Sequence, residues 1–192
     1  MPLVTLPVHR VGLEAVAALY GYPKADRGDV ARTALAAIEP ANADAAEMLQ
    51  PLVAFLTTSP LAECEELYVR TFELNPVCAL EIGWQLYGEQ YARGAFLVRA
   101  RELMREVGLE ENTELPDHLP NILRVLARLR APSVTKLASK FTAPSVRGMV
   151  DKLADRPDNP YRGLLAATTK LIEGYFPEAE LQTDDGSEVD GE

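Results

Sequence analysis

Few side chains in this sequence stand where catalysis would need them. The two histidines, His9 and His118, are far apart, and neither has the i, i+4 partner that puts two imidazoles on one helix face for a metal. The two cysteines, Cys64 and Cys78, have no C-x-x-C spacing, which leaves a thiolate cage or a disulfide framework unsupported and fits a reducing compartment. There is no P-loop, no G-x-G-x-x-G and no G-x-S-x-G elbow, so nucleotide cradles and hydrolase nucleophiles lack their local signatures. Adjacent carboxylates such as Glu65/Glu66 and Glu110/Glu111 diverge when they sit on a helix and would not share a substrate. The expectation is a chain with no catalytic residue, no metal and no cofactor, hence not an enzyme. A small helical enzyme that assembles Glu and His from scattered positions stays open as an alternative.

The elements that must position these residues read as helices almost end to end. Apolar residues recur at i, i+3, i+4, i+7, which lines them along one stripe of an α-helix. Leu13, Val16, Ala17 and Tyr20 begin the series, Ala45, Met48, Leu49, Leu52 and Leu56 continue it, and Leu61, Cys64, Tyr68, Thr71 and Phe72 follow. Leu119, Ile122, Leu123, Leu126 and Leu129 form another stripe, and Tyr161, Leu164, Leu165, Thr168, Leu171 and Tyr175 close it. No alternating strand pattern competes, so the expected fold is an all-α bundle of about eight to ten helices in one domain.

Punctuation sets the boundaries. Ser59-Pro60 and Asn159-Pro160 each offer an N-cap acceptor before a proline suited to a first helical position. Gly21, Gly88 and Gly108 follow periodic stretches, where a left-handed C-terminal residue is often needed. Pro51 falls inside a stripe and predicts a kink or break near Gln50. The stretch between Gly108 and Asp117 is the longest polar connection in the body, the kind of segment in which function tends to sit.

Charge excludes one class of partner. A net charge of −10 argues against a general nucleic-acid binder, which needs cations to displace counterions from phosphates. Seven carboxylates and no Lys or Arg fall within 177–192, and without them the body carries only −3. That segment also lacks periodicity, so the chain divides into a helical domain over 1–176 and an acidic tail over 177–192 expected to be disordered. No run is long and apolar enough for a membrane helix, and the start lacks a basic leader region; a cytoplasmic protein is expected. Within the body, residues 102–117 are mainly acidic, while Arg124, Arg128, Arg130, Lys136, Lys140, Arg147, Lys152 and Arg156 make 121–156 basic. Either the faces balance one another, or the surface is dipolar and its acidic side attracts a basic peptide.

Three stretches go beyond composition. Tyr68-Val-Arg-Thr-Phe72, the run 87–98 (YGEQYARGAFLV) and Glu114-Leu-Pro-Asp-His-Leu-Pro120, in that order, resemble the nitrate reductase assembly chaperones of the NarJ type, also called the delta subunit and related to the TorD/DmsD-type molybdoenzyme chaperones. The last stretch, with a leucine-rich helix behind it, is the most specific, and Leu19-Tyr-Gly-Tyr-Pro23 is similar to the family's early element. The resemblance implies an all-α chaperone that binds the N-terminal or twin-arginine-type segment of a molybdoenzyme catalytic subunit, from nitrate reductase or a related respiratory oxidoreductase. It further implies help in molybdenum cofactor insertion and complex assembly, by a monomer or weak dimer without direct membrane insertion. A permanently bound helical subunit of a respiratory complex is the other reading.

The residues that would grip a client follow from these stretches: Tyr68, Phe72, Tyr87, Glu89, Tyr91, Arg93, Gly94, Glu114, Leu115, Pro116, Asp117, His118, Leu119 and Pro120. Each has a plainer role. Glu114 and Asp117 suit a bidentate client guanidinium, but Asp117 equally suits the cap of the helix beginning near His118. Pro116 and Pro120 would stiffen that helix entry, and His118 fits a partly exposed hydrogen-bonding role. Tyr68 and Phe72 lie on an apolar stripe and so fit the core, while Tyr87 and Tyr91 are open to either role. Gly94 would let either a client backbone or a neighbouring helix approach closely.

Overall fold

In a computed structural model the described residues are 8–74, 78–130 and 133–177. They form the expected all-α bundle, with no strand among them. The α-helical segments are α1 (Val8–Leu19), α2 (Arg27–Ile38), α3 (Ala43–Thr58), α4 (Leu61–Tyr68), α5 (Ile82–Tyr87), α6 (Ala92–Glu106), α7 (Leu119–Arg128), α8 (Ser133–Lys136), α9 (Ala143–Lys152) and α10 (Tyr161–Tyr175). A π-helical turn over Val69–Glu73 extends α4, and a second over Leu137–Thr142 fuses α8 and α9, so the described residues hold nine continuous helices. The acidic tail, apart from Pro177, lies outside the described residues.

The apolar stripes converge on one core. Leu13, Val16 and Tyr20 of the first stripe, Leu49 and Leu52 of α3, Ile122, Leu123 and Leu126 of α7, and Leu164, Leu165 and Leu171 of α10 are all fully buried. Burial of this kind drives the fold, at about 1.5–3 kcal/mol for each large aliphatic side chain. Helices α3 and α10 approach so closely that a Cβ on Gly163 would collide with the Met48 carbonyl oxygen. Gly163 is therefore the residue that allows this packing.

Some boundaries differ from expectation. Helix α3 runs through Pro51 without a break, because proline forfeits only its own donor and the solvent-facing side of the helix accommodates the ring. Asn42 caps α3, accepting from the Ala45 amide at 2.9 Å. Ser59 does not cap α4; it closes α3 in an extended conformation, and α4 begins after Pro60 with no side-chain cap. Asn159 does act at the start of α10, accepting from the Tyr161 amide at 3.0 Å while donating to Thr71 Oγ1 at 2.9 Å. Gly88 and Gly108 take the left-handed φ values of 55° and 66°, but Gly21 does not.

Candidate functional site

The Glu114–Pro120 stretch is built into the body rather than displayed on it. Its backbone pairs antiparallel with the chain before α5: the Ile82 amide donates to the Asp117 carbonyl at 2.9 Å, and the Leu119 amide donates to the Leu80 carbonyl at 2.8 Å. Pro116, Asp117, Leu119 and Pro120 are buried, His118 is half-buried, and only Glu114 and Leu115 are exposed. Pro120 sits in the first turn of α7, where its missing donor does no harm.

Asp117 is the main correction. It is 0% exposed, and it does not cap α7, whose N-cap residue is His118 with no side-chain bond. Its Oδ2 instead accepts from the Gly83 amide in the first turn of α5, at 2.9 Å. The site is tight, since a Cβ on Gly83 would meet that oxygen at 2.7 Å. Asp117 Oδ1 and Arg93 Nε are buried without a hydrogen-bond partner among the described residues, and the Arg93 guanidinium lies 5.4 Å from the Trp84 ring centroid. Burial pushes the Asp117 carboxyl above the usual range; the Gly83 amide and the Arg93 charge pull it down without cancelling the effect. Burial likewise lowers His118, against the nearby Glu81 charge.

The loop ahead of this pairing is held by a side-chain network that spacing alone did not reveal. Asn112 donates to Asn121 Oδ1 at 3.0 Å and accepts from the Glu114 amide at 2.8 Å, while buried Asn121 donates to the Leu115 carbonyl at 3.1 Å. Glu114 and Leu115 are thus fixed in place although they face water.

Tyr68 and Phe72 are buried, so they do not line an open groove. They join Tyr20, Tyr22 and Tyr161 in an edge-to-face cluster, with Phe72 and Tyr161 centroids 4.9 Å apart and Tyr22 and Tyr68 centroids 5.5 Å apart. The Tyr68 hydroxyl donates to the Tyr20 carbonyl at 2.9 Å. Thr168 gives its own proton to Leu164, so Tyr20 is the donor in its 2.7 Å bond to Thr168. Tyr22 is the outermost ring, 45% exposed.

Two carboxylates, Glu65 and Glu73, bear on this outer ring. Burial first, then Glu65 and Glu73, push the Tyr22 phenol upward; for Tyr68 the same direction comes from burial, then Glu73, Glu114 and Glu81. The π-helical turn carries Glu73 to this place: the Leu74 amide reaches back to the Val69 carbonyl at 2.8 Å, leaving Phe72 inside and Glu73 and Leu74 outside. Leu74 and Leu115, the chain neighbours of Glu73 and Glu114, are 74% and 43% exposed. A cleft of about 310 Å³ opens beside Tyr22. It shares Ala18, Asp26 and Val30 with an apolar groove of about 640 Å³ between α1 and α2, bordered by Glu14, Asp26 and Asp29 and by Arg10 and Arg128, the last paired with Glu14 at 2.8 Å.

The remaining candidates lie at the α5–α6 corner. Tyr87 is half-buried beside Phe96, Glu89 is exposed, and Tyr91 is 95% exposed. Gly94 is exposed and a Cβ there would meet nothing within 4 Å, so it does not serve a close helix contact. The candidate list therefore splits between an acidic, aromatic surface and this corner, with Asp117 buried and Arg93 half-buried. Spacing missed Tyr22, Glu65, Glu73 and Glu81. Glu65 and Glu73, eight positions apart, were detectable as a pair two turns along one helical face.

Among the described residues no group of three or more His, Cys, Asp or Glu side chains is placed to hold a metal, and no helix is long and apolar enough to cross a membrane. Against known families, residues 39–166 match the model of the nitrate reductase delta subunit. The class so defined is the all-α assembly chaperone. The chain belongs to the nitrate reductase delta subunit family, the family of nitrate reductase assembly chaperones, and the match takes in all three of the stretches 68–72, 87–98 and 114–120. No curated protein matches the chain.

Proposed function

We propose that this protein is a system-specific chaperone that binds the basic, amphipathic N-terminal segment of a molybdoenzyme catalytic subunit. The client is the catalytic subunit of a nitrate reductase or of a related respiratory oxidoreductase. Holding it in the cytoplasm keeps the apo-subunit open for molybdenum cofactor insertion and delays its assembly. The observation that carries this reading is the acidic setting of the Tyr22–Tyr68 ring pair, with Glu65 and Glu73 acting on Tyr22 and Glu73, Glu114 and Glu81 on Tyr68, next to an apolar groove.

The chemistry suits such a client. An amphipathic helix lays its apolar face in a groove, here between Val11, Ala15, Ala18 and Val30. Its arginines then meet ionised carboxylates that accept two parallel N–H bonds, and Tyr22 adds an aromatic face for a guanidinium. Binding of this kind requires no reacting group. Affinity capture tests the role: the tagged chain should retain the cofactor-free catalytic subunit and be absent from the mature complex. Finding it as a stable component of the mature complex would establish the structural-subunit reading instead.

A further inference from the structure

A second groove differs in charge from the client surface and does not suit a basic client. It lies between α6 and the helix that runs from α8 through its π-helical turn, with a volume of about 400 Å³. Phe96, Leu103, Leu137 and Phe141 form its apolar floor, and Arg99 and Lys136 stand at its rim. The Phe96 and Phe141 rings are 6.0 Å apart. Lys136 and Lys140 are both exposed, one turn apart on the same helix. Arg99 contacts Glu102 at 3.1 Å, with both side chains more than half exposed, so water screens that pair and it exchanges easily.

We propose that this groove is occupied by the chain's own acidic segment, residues 178–192. Three observations point to that occupant. The first is position: Phe176, at the end of α10, lines a cleft with Ser139, Ala143 and Arg147 on the other side of the same helix that supplies Leu137 and Phe141 to the groove. The second is reach. Leu181 follows Phe176 by five residues, which extend to about 17 Å, and a helix with its side chains is about 10 Å across.

The third is complementarity. The segment holds seven carboxylates and no cation, with Leu181 and Val189 as apolar side chains. Leu181 between Glu180 and Asp184 matches an apolar floor with a cationic rim. Tethering adds to this, because a short covalent link holds a segment at an effective concentration of about millimolar, so weak contacts suffice. In this position the segment covers the apolar floor and neutralises the cationic rim.

The test uses the full chain with a nitroxide on Ser187→Cys. Cys64 and Cys78 are buried, so the tag reacts selectively. Amide signals of residues 96–103 and 137–141 are expected to lose intensity at low ionic strength. They should recover in about 1 M salt, where the screening length is about 3 Å, and in the Lys136→Glu/Lys140→Glu variant, whose changes are confined to exposed positions. Uniform or absent broadening would overturn the proposal, as would broadening centred on the α1–α2 groove or broadening unchanged by the charge reversal. Mixing nitroxide-tagged chain with isotope-labelled, untagged chain should give no broadening; if it does, the occupant is a second copy and the proposal fails.

Discussion

The Asp117 carboxylate accepts the Gly83 amide at 2.9 Å across a sequence separation of 34 residues. One side chain thus fixes the loop before α7 to the start of α5, and it holds Glu81 and Glu114 on the same side of the molecule. Removing the carboxylate by Asp117→Ala should destabilise the fold by about 1–2 kcal/mol, the usual effect of a lost helix cap. Asp117→Asn keeps a carbonyl acceptor for Gly83 and should lose less than the alanine variant. Gly83→Ala should destabilise by about 1–3 kcal/mol through overpacking against the same oxygen. Urea unfolding of the three variants checks the order.

The same region predicts opposing pH effects. Burial raises Asp117, so the folded state favours its protonated form. That contribution is fully present below the ordinary carboxylate value and is lost as pH rises through the raised folded value. Asp117→Asn should therefore compare better with the native chain at pH 7 than at acid pH. Burial lowers His118, so the folded state favours its neutral form. Stability from that source is present above the ordinary histidine value and is lost as pH falls from there through the lowered folded value. His118→Gln should flatten the loss of stability on the acid side, measured as the unfolding free energy across the pH range.

Glycines separate packing from mere occupancy. Gly163→Ala would force a methyl group against the Met48 carbonyl and should destabilise by more than about 2 kcal/mol, because backbone has to shift. Gly94→Ala meets nothing within 4 Å on an exposed helix and should stabilise by up to about 1 kcal/mol. Thermal unfolding of both variants reads the difference in sign.

Helices were legible in the sequence because burial follows the 3.6-residue period directly: Leu13, Leu49, Ile122 and Leu164 are all at 0% exposure on stripes visible by eye. Partners across the fold were less legible. Asp117 next to a helix start reads as that helix's cap, yet its acceptor role goes to α5, because the 80–82 and 117–119 segments pair in space. Tyr22 was visible only as part of Leu19–Pro23, since its value comes from Glu65 and Glu73, which other elements bring to it. Pro51 misled for a local reason: a single missing donor on an exposed face does not end a 16-residue helix.

Isothermal titration with the N-terminal peptide of a nitrate reductase catalytic subunit from the same organism tests the central claim most directly. The account predicts binding at low ionic strength that weakens as salt rises. It predicts about a tenfold or greater loss of affinity in the Glu73→Lys/Glu114→Lys variant, equal to about 1.4 kcal/mol or more. Both side chains are exposed, so the fold should tolerate the change. Absence of binding by the native chain, or equal affinity in the variant at every salt concentration, would contradict it.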